Sequence, residues 1–220
     1  MRSWLSIAAV VALMAACSGD GATEGSVDSD TGAETPEAAV EQLFSLLQEG
    51  EFVDAASLAI PEQAALASLA EGAPTEEVAA ALRDGDAVVA ANFWSGFAQS
   101  VDDMLAQGVD VMGSTPATAE GVEFSIVEIG TGGGDLRQMT TREVDGYRID
   151  IFATFGPALA ARLYPQVEAL LSDPTGDASI ILTGLREQVA SLYIASETPE
   201  LAPNLVQDIL QLIELITRVS

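Results

Sequence analysis

The spacing of apolar residues changes twice along the chain, and these changes restrict the fold more than any other feature. Val40, Leu43, Phe44 and Leu47 recur at helical spacing, as do Val89, Phe93, Trp94, Phe97, Val101, Met104 and Leu105. Beyond Gly108 the period falls to two. Val122, Phe124 and Ile126 alternate with Glu123 and Ser125, and Tyr147, Ile149 and Ile151 alternate likewise. After Gly156 the helical period returns. Helices, then strands, then helices predict an α+β fold. Short connections between the strands predict an antiparallel meander, with one face wet and one buried. N-terminal helices pack on that curved sheet, and C-terminal helices follow it.

Local signals set the element limits. Thr35-Pro36-Glu37 places an N-cap, a first-turn proline and an acid where a helix starts, and Gly50 closes that helix. Short helices are expected from Phe52 to Ile60, from Glu62 to Glu71 and from Thr75 to Arg83, and a longer one from Ala87 to Ala106. Strands are expected at Val109–Met112, Val122–Ile126, Leu136–Val144 and Tyr147–Ile151, with Asp145-Gly146 as a two-residue hairpin turn. Helices follow at Pro157–Leu171, Ile180–Ala195 and from Pro203 or Asn204 to Val219. In the last, Val206, Ile209, Ile213 and Ile216 form a seam for packing on another helix, of this chain or of a second copy.

The first residues carry a different message. Arg2 precedes an apolar run from Ile7 to Ala16, which ends at Cys17. Such a run makes about 15 Å of helix, too short for a hydrocarbon core of about 30 Å. Charge followed by a short apolar stretch is the layout of a secretory signal peptide. Leu13-Met14-Ala15-Ala16-Cys17 resembles the bacterial lipobox, in which the cysteine receives a diacylglyceryl group and becomes the new N-terminus. The resemblance implies lipidation at Cys17 and attachment to the extracytoplasmic side of a bacterial cell membrane. Ser18 to Glu34 is rich in Gly, Ser, Thr, Asp and Glu, so it buries too little surface to order itself and reads as a disordered acidic tether. Its Asp28-x-Asp30-x-Gly32 lacks the further ligands and the closing Glu of an EF-hand, and no metal site is expected there.

Composition removes whole chemistries. The chain has no histidine and one cysteine. It therefore has no Ser-His-Asp or Cys-His relay, no imidazole metal ligand and, with Cys17 acylated, no thiol for redox work. No cofactor is expected. A net charge of −26 disfavours nucleic acid and anionic headgroups, leaving the lipid anchor as the contact with the membrane.

Thr35 to Pro61 carries an amphipathic helix, then Gly50-Glu51-Phe52, Ala56, Leu58 and Pro61. With Val144-Asp145-Gly146-Tyr147-Arg148-Ile149, it resembles the NTF2-like domains found in bacterial lipoproteins. The resemblance covers Thr35 to about Thr154, and implies a curved sheet wrapped around helices as a cone with a cavity at its open end. The expected organisation is a signal peptide at 1–16, the lipidated cysteine and tether at 17–34, the NTF2-like domain at 35–155 and a helical extension at 156–220.

Enzymes of that family use Asp with His or Tyr in the cavity. Here Glu123, Glu128, Glu143 and Asp150 would act alone, and alternation turns Glu123 and Asp150 to water. No catalytic residue is therefore expected. Phe93, Trp94, Phe97, Phe124, Tyr147 and Phe152 are the candidates to line an apolar pocket, or else form plain core. Arg137, Arg142 and Arg148 either clamp an acidic ligand or serve as exposed partners for nearby acids. Gly132-Gly133-Gly134 joins two strands and carries no phosphate fingerprint. The function expected is that of a non-enzymatic envelope lipoprotein binding a small apolar ligand or a partner protein. The alternatives are a filled structural module and a carboxylate-dependent hydrolase or isomerase.

Overall fold

The computed structural model describes residues 32–85, 87–131 and 136–218. Cys17, the apolar run before it, most of the tether and the three consecutive glycines lie outside the described residues. The N-terminal helices are α1 (Pro36–Glu49), α2 (Phe52–Ser57), α3 (Pro61–Ser68) with a 3-10 turn at Leu69–Glu71, α4 (Thr75–Asp84), α5 (Ala87–Ser100) and α6 (Asp102–Gln107). Strands β1 (Val109–Ala119), β2 (Val122–Thr131), β3 (Leu136–Glu143) and β4 (Tyr147–Ile149) follow, then α7 (Ile151–Ser172), α8 (Asp177–Glu187), α9 (Val189–Ser196) and α10 (Pro203–Thr217).

The α+β class is observed: the strands form an open antiparallel meander in the order β1-β2-β3-β4, with helices before and after it. Thr35 caps α1 through its Oγ1, which accepts the Ala38 N–H at 3.1 Å, and Gly50 at φ 77° closes the helix. Both short hairpin turns use two residues of positive φ, Glu120-Gly121 at 51° and 79° and Asp145-Gly146 at 48° and 97°. That handedness matches the twist of paired strands.

The expected limits are corrected at five places. β1 is far longer than Val109–Met112, because it is an edge strand whose side chains are mostly exposed or half-buried and carry no apolar alternation. It also contains Pro116, tolerated at an edge where no ladder bond is lost. The expected helix Ala87–Ala106 is broken at Val101, and the expected helix Ile180–Ala195 at Gln188. The fourth strand ends at Ile149, and α7 begins at Ile151 instead of Pro157. Finally, the acidic segment is ordered at its end. Ala33 is buried and bridges Tyr147, and the Gly32 N–H donates to the Asp145 carbonyl at 2.6 Å. Two glycines permit that approach, since a Cβ on Gly32 would lie 2.7 Å from the Gly146 carbonyl carbon.

One apolar cluster runs through the molecule, joining Leu43 of α1, Trp94 of α5, Val127 of β2, Phe152 and Leu163 of α7 and Ile209 of α10. The α10 seam is occupied within the chain: Ile209, Leu212, Ile213 and Ile216 are buried, and the helix lies against α7 and α9. Each such side chain contributes about 1.5–3 kcal/mol by leaving water. No helix among the described residues is long and apolar enough to cross a membrane.

α7 and α9 meet at Gly156, where an added Cβ would lie 2.6 Å from the Ala195 Cβ. Gly156→Ala is therefore expected to destabilise the fold by about 1–3 kcal/mol, although alanine favours a helix by about 1 kcal/mol. Urea unfolding measures this, and adding Ala195→Gly should recover most of the loss.

Candidate functional site

Asp150 follows the last strand and caps α7. Its Oδ1 accepts the Ala153 N–H at 2.9 Å and the Gln63 Nε2–H at 3.0 Å, and its Oδ2 accepts the Ser191 hydroxyl at 2.7 Å. Arg142 brings its Nε to 3.7 Å from Oδ2. Gln63 extends the network. Its Oε1 accepts the Ile151 N–H at 2.6 Å, and its Nε2 also donates to Gln188 Oε1 at 2.6 Å. Asp150, Gln63, Gln188 and Ser191 are all buried. The network thus joins α3, the end of the sheet, α7 and the break between α8 and α9.

Burial pushes the Asp150 carboxyl above its ordinary value, against the opposing pull of the Ala153 N–H, Arg142, Ser191 and Gln63. The expectation that Asp150 faces water is corrected. Alternation holds only within a strand, and the strand has ended one residue earlier. Glu123 is exposed, as alternation predicts, and Glu128 and Glu143 are exposed as well. Glu123 and Glu143 border one broad concavity together with Tyr147, while Glu128 borders a separate cleft. Among the described residues, no three or more Asp, Glu, His or Cys are placed to hold a metal ion.

The arginines also part company. Arg142 and Arg148 face each other across β3 and β4, as expected. Arg148, however, is buried and spends its guanidinium on backbone carbonyls, Val144 at 3.2 Å and Ser57. Arg142 is 17 % exposed beside Asp150. Arg148 is buried where an exposed side chain was expected, because the α2–α3 connection covers β4: the Ile149 N–H donates to the Leu58 carbonyl at 2.7 Å.

Of the six candidate aromatics, three come together. Phe93 and Phe97 meet Trp94 edge-on at 5.1 Å and 5.7 Å between ring centres, and Phe155 closes the group at 5.2 Å from Phe97. Trp94 and Phe152 are fully buried in the main core, while Phe124 belongs to a small separate cluster with Ala153, Ala190 and Ile194. Tyr147 borders a broad concavity of about 800 Å³ at the hairpin end of the sheet, shared with Phe124. Helical spacing does not single out Phe155, because the expected helix starts at Pro157 and the observed one at Ile151.

An apolar cavity of about 210 Å³ lies between α1, the α5–α6 break, α7 and one face of the sheet. Phe44, Phe97, Val101, Met104, Ile129 and Phe155 line it. A cleft of about 390 Å³ lies on the opposite face, lined by Ile126, Glu128, Thr140, Pro157, Thr198 and Glu200. Both spaces are bordered by Arg137, Gln138 and Thr154. Comparison with known proteins finds no matching family model, no matching curated protein and no matching solved structure.

The raised Asp150 pKa sets a sign. Above the ordinary value the unfolded chain has released this proton while the folded chain still holds it, so stability falls as pH rises. Its contribution is complete only below the ordinary value of 3.8. Wild type should lose stability relative to Asp150→Asn as pH rises above that value, read as the difference between paired urea curves. Parallel curves would remove the assignment. Asp150→Ala strands several buried donors and should cost more than about 2 kcal/mol at any pH.

Proposed function

We propose that this chain is an exported bacterial lipoprotein, held by acyl chains on Cys17 to the extracytoplasmic side of the membrane. Its NTF2-like domain works as a non-enzymatic binding module for a small apolar ligand. The single observation that carries the binding reading is the largely apolar pocket of about 210 Å³ between α1, α5, α6, α7 and the sheet. An engineered apolar cavity of about 150 Å³ already takes up benzene, so a ring-sized guest suits this one. The anchoring reading is supported by the charge, run length, small residues and cysteine of the first segment. Two acyl chains give stable anchoring where one does not.

A second reading is favoured by a different observation. Trp94 and Phe152 are fully buried and fill the middle of the molecule, as in a packed module that presents its outer surface to another envelope protein.

One substitution separates the two. p-Xylene should raise the melting temperature of the wild-type protein, and Val101→Phe, which fills the cavity, should abolish the shift while leaving the fold intact. The packed-module reading requires no shift in either protein. For the anchor, Cys17→Ala should move the protein from the membrane to the soluble fraction, and intact mass measurement should show the loss of the diacylglyceryl group. A wild-type protein carrying an unmodified thiol overturns the anchor.

A further inference from the structure

The outer edge of β3 is closed unevenly. β2 pairs with one side of it from Thr141 to Leu136, whereas β4 covers the other side only at Thr141, Arg142 and Glu143. The next outward-facing residue is covered by the start of α7. The Thr140 N–H donates to Thr154 Oγ1 at 3.0 Å, and the Thr140 carbonyl accepts the Asp150 N–H at 2.8 Å. Outward backbone groups recur every second residue, so the N–H and C=O of Gln138 face the same side as those of Thr140. Among the described residues, neither Gln138 group makes a hydrogen bond.

The two cavities flank this open position, one on each face. Ile129 and Met139 border the apolar cavity, and Ile126, Glu128 and Thr140 border the cleft, as alternation along paired strands requires. We infer that a short extended peptide binds here by pairing antiparallel with β3 opposite Gln138, exchanging two backbone hydrogen bonds with it. This rests on the reading that the apolar cavity takes a ligand, and it names the ligand's class. The peptide residue opposite Gln138 shares the face of Glu128 and Thr140, so its side chain enters the cleft. Its neighbours face the other way, and one of them fills the apolar cavity.

Charge selects the side chain in the cleft. The chain carries a net charge of −26, and the cleft is bordered by two acids, Glu128 and Glu200, against one base, Arg137, which leaves its rim negative. A basic side chain opposite Gln138 is therefore favoured. Glu200 stands at φ 60°, a backbone conformation rare outside glycine, and this places an acid in the loop after α9 at the cleft.

The test uses the detergent-extracted full chain and a fluorescent Leu-Arg-Leu peptide capped at both ends. Fluorescence anisotropy should show binding. Replacing the peptide arginine with glutamate, or N-methylating its backbone nitrogen, should each weaken binding about tenfold or more. Glu128→Gln with Glu200→Gln should erase the preference for arginine, and Gln138→Pro, which removes the edge N–H, should abolish binding. Hydrogen exchange at Gln138 should slow when peptide is bound. Equal binding of the N-methylated peptide, or none at millimolar concentration, overturns the inference. If p-xylene still stabilises the protein in that case, the cavity reading survives; if neither binds, both fall.

Discussion

A single carboxyl group, that of Asp150, sets where the sheet ends and where the longest helix begins. It accepts the Ala153 N–H as a helix cap, and it accepts hydrogen bonds from Gln63 and Ser191. Those partners come from α3 and α9, so one group holds the N-terminal helices, the sheet and the C-terminal helices in register. A buried carboxyl without such donors would be strongly unfavourable. The surrounding donors make its burial tolerable, and the strong preference for satisfying it restricts how the three parts can pack.

The same junction creates the free space. α7 approaches β3 closely at Thr140, through Thr154 and Asp150, and makes no backbone bond to Gln138. The strand edge is thus sealed at one residue and open two residues on. Cavities form on both faces at that opening, one toward α1 and α5, the other toward the loop after α9. A scaffold tied rigidly at its polar centre keeps such an opening from collapsing, since the core around it is already filled by Trp94, Phe152 and Leu163.

Features with local causes were legible in the sequence. Thr35, Pro36 and Gly50 specify α1 through caps that involve only neighbouring residues, and Asp145-Gly146 specifies a turn through its own backbone preference. The helix–strand–helix order followed from period alone. Features with distant causes were not legible. Whether the chain continues as a strand past Ile149 depends on Gln63, which is 87 positions from Asp150. The break at Gln188 similarly serves a bond to Gln63, 125 positions away. The length of β1 was hidden because an exposed edge strand needs no apolar alternation. The site suffered most. Phe97 lines the apolar cavity as anticipated, but Phe44, Met104 and Phe155 join it because of how three separate helices cross, and no spacing rule encodes that.

The most direct test of the central claim is to follow the Asp150 side-chain carboxyl carbon by NMR as pH is varied. Its resonance is expected to titrate above the ordinary aspartate value of 3.8. Titration at or below that value would mean that Asp150 is solvated and is no buried hub between the helices and the sheet.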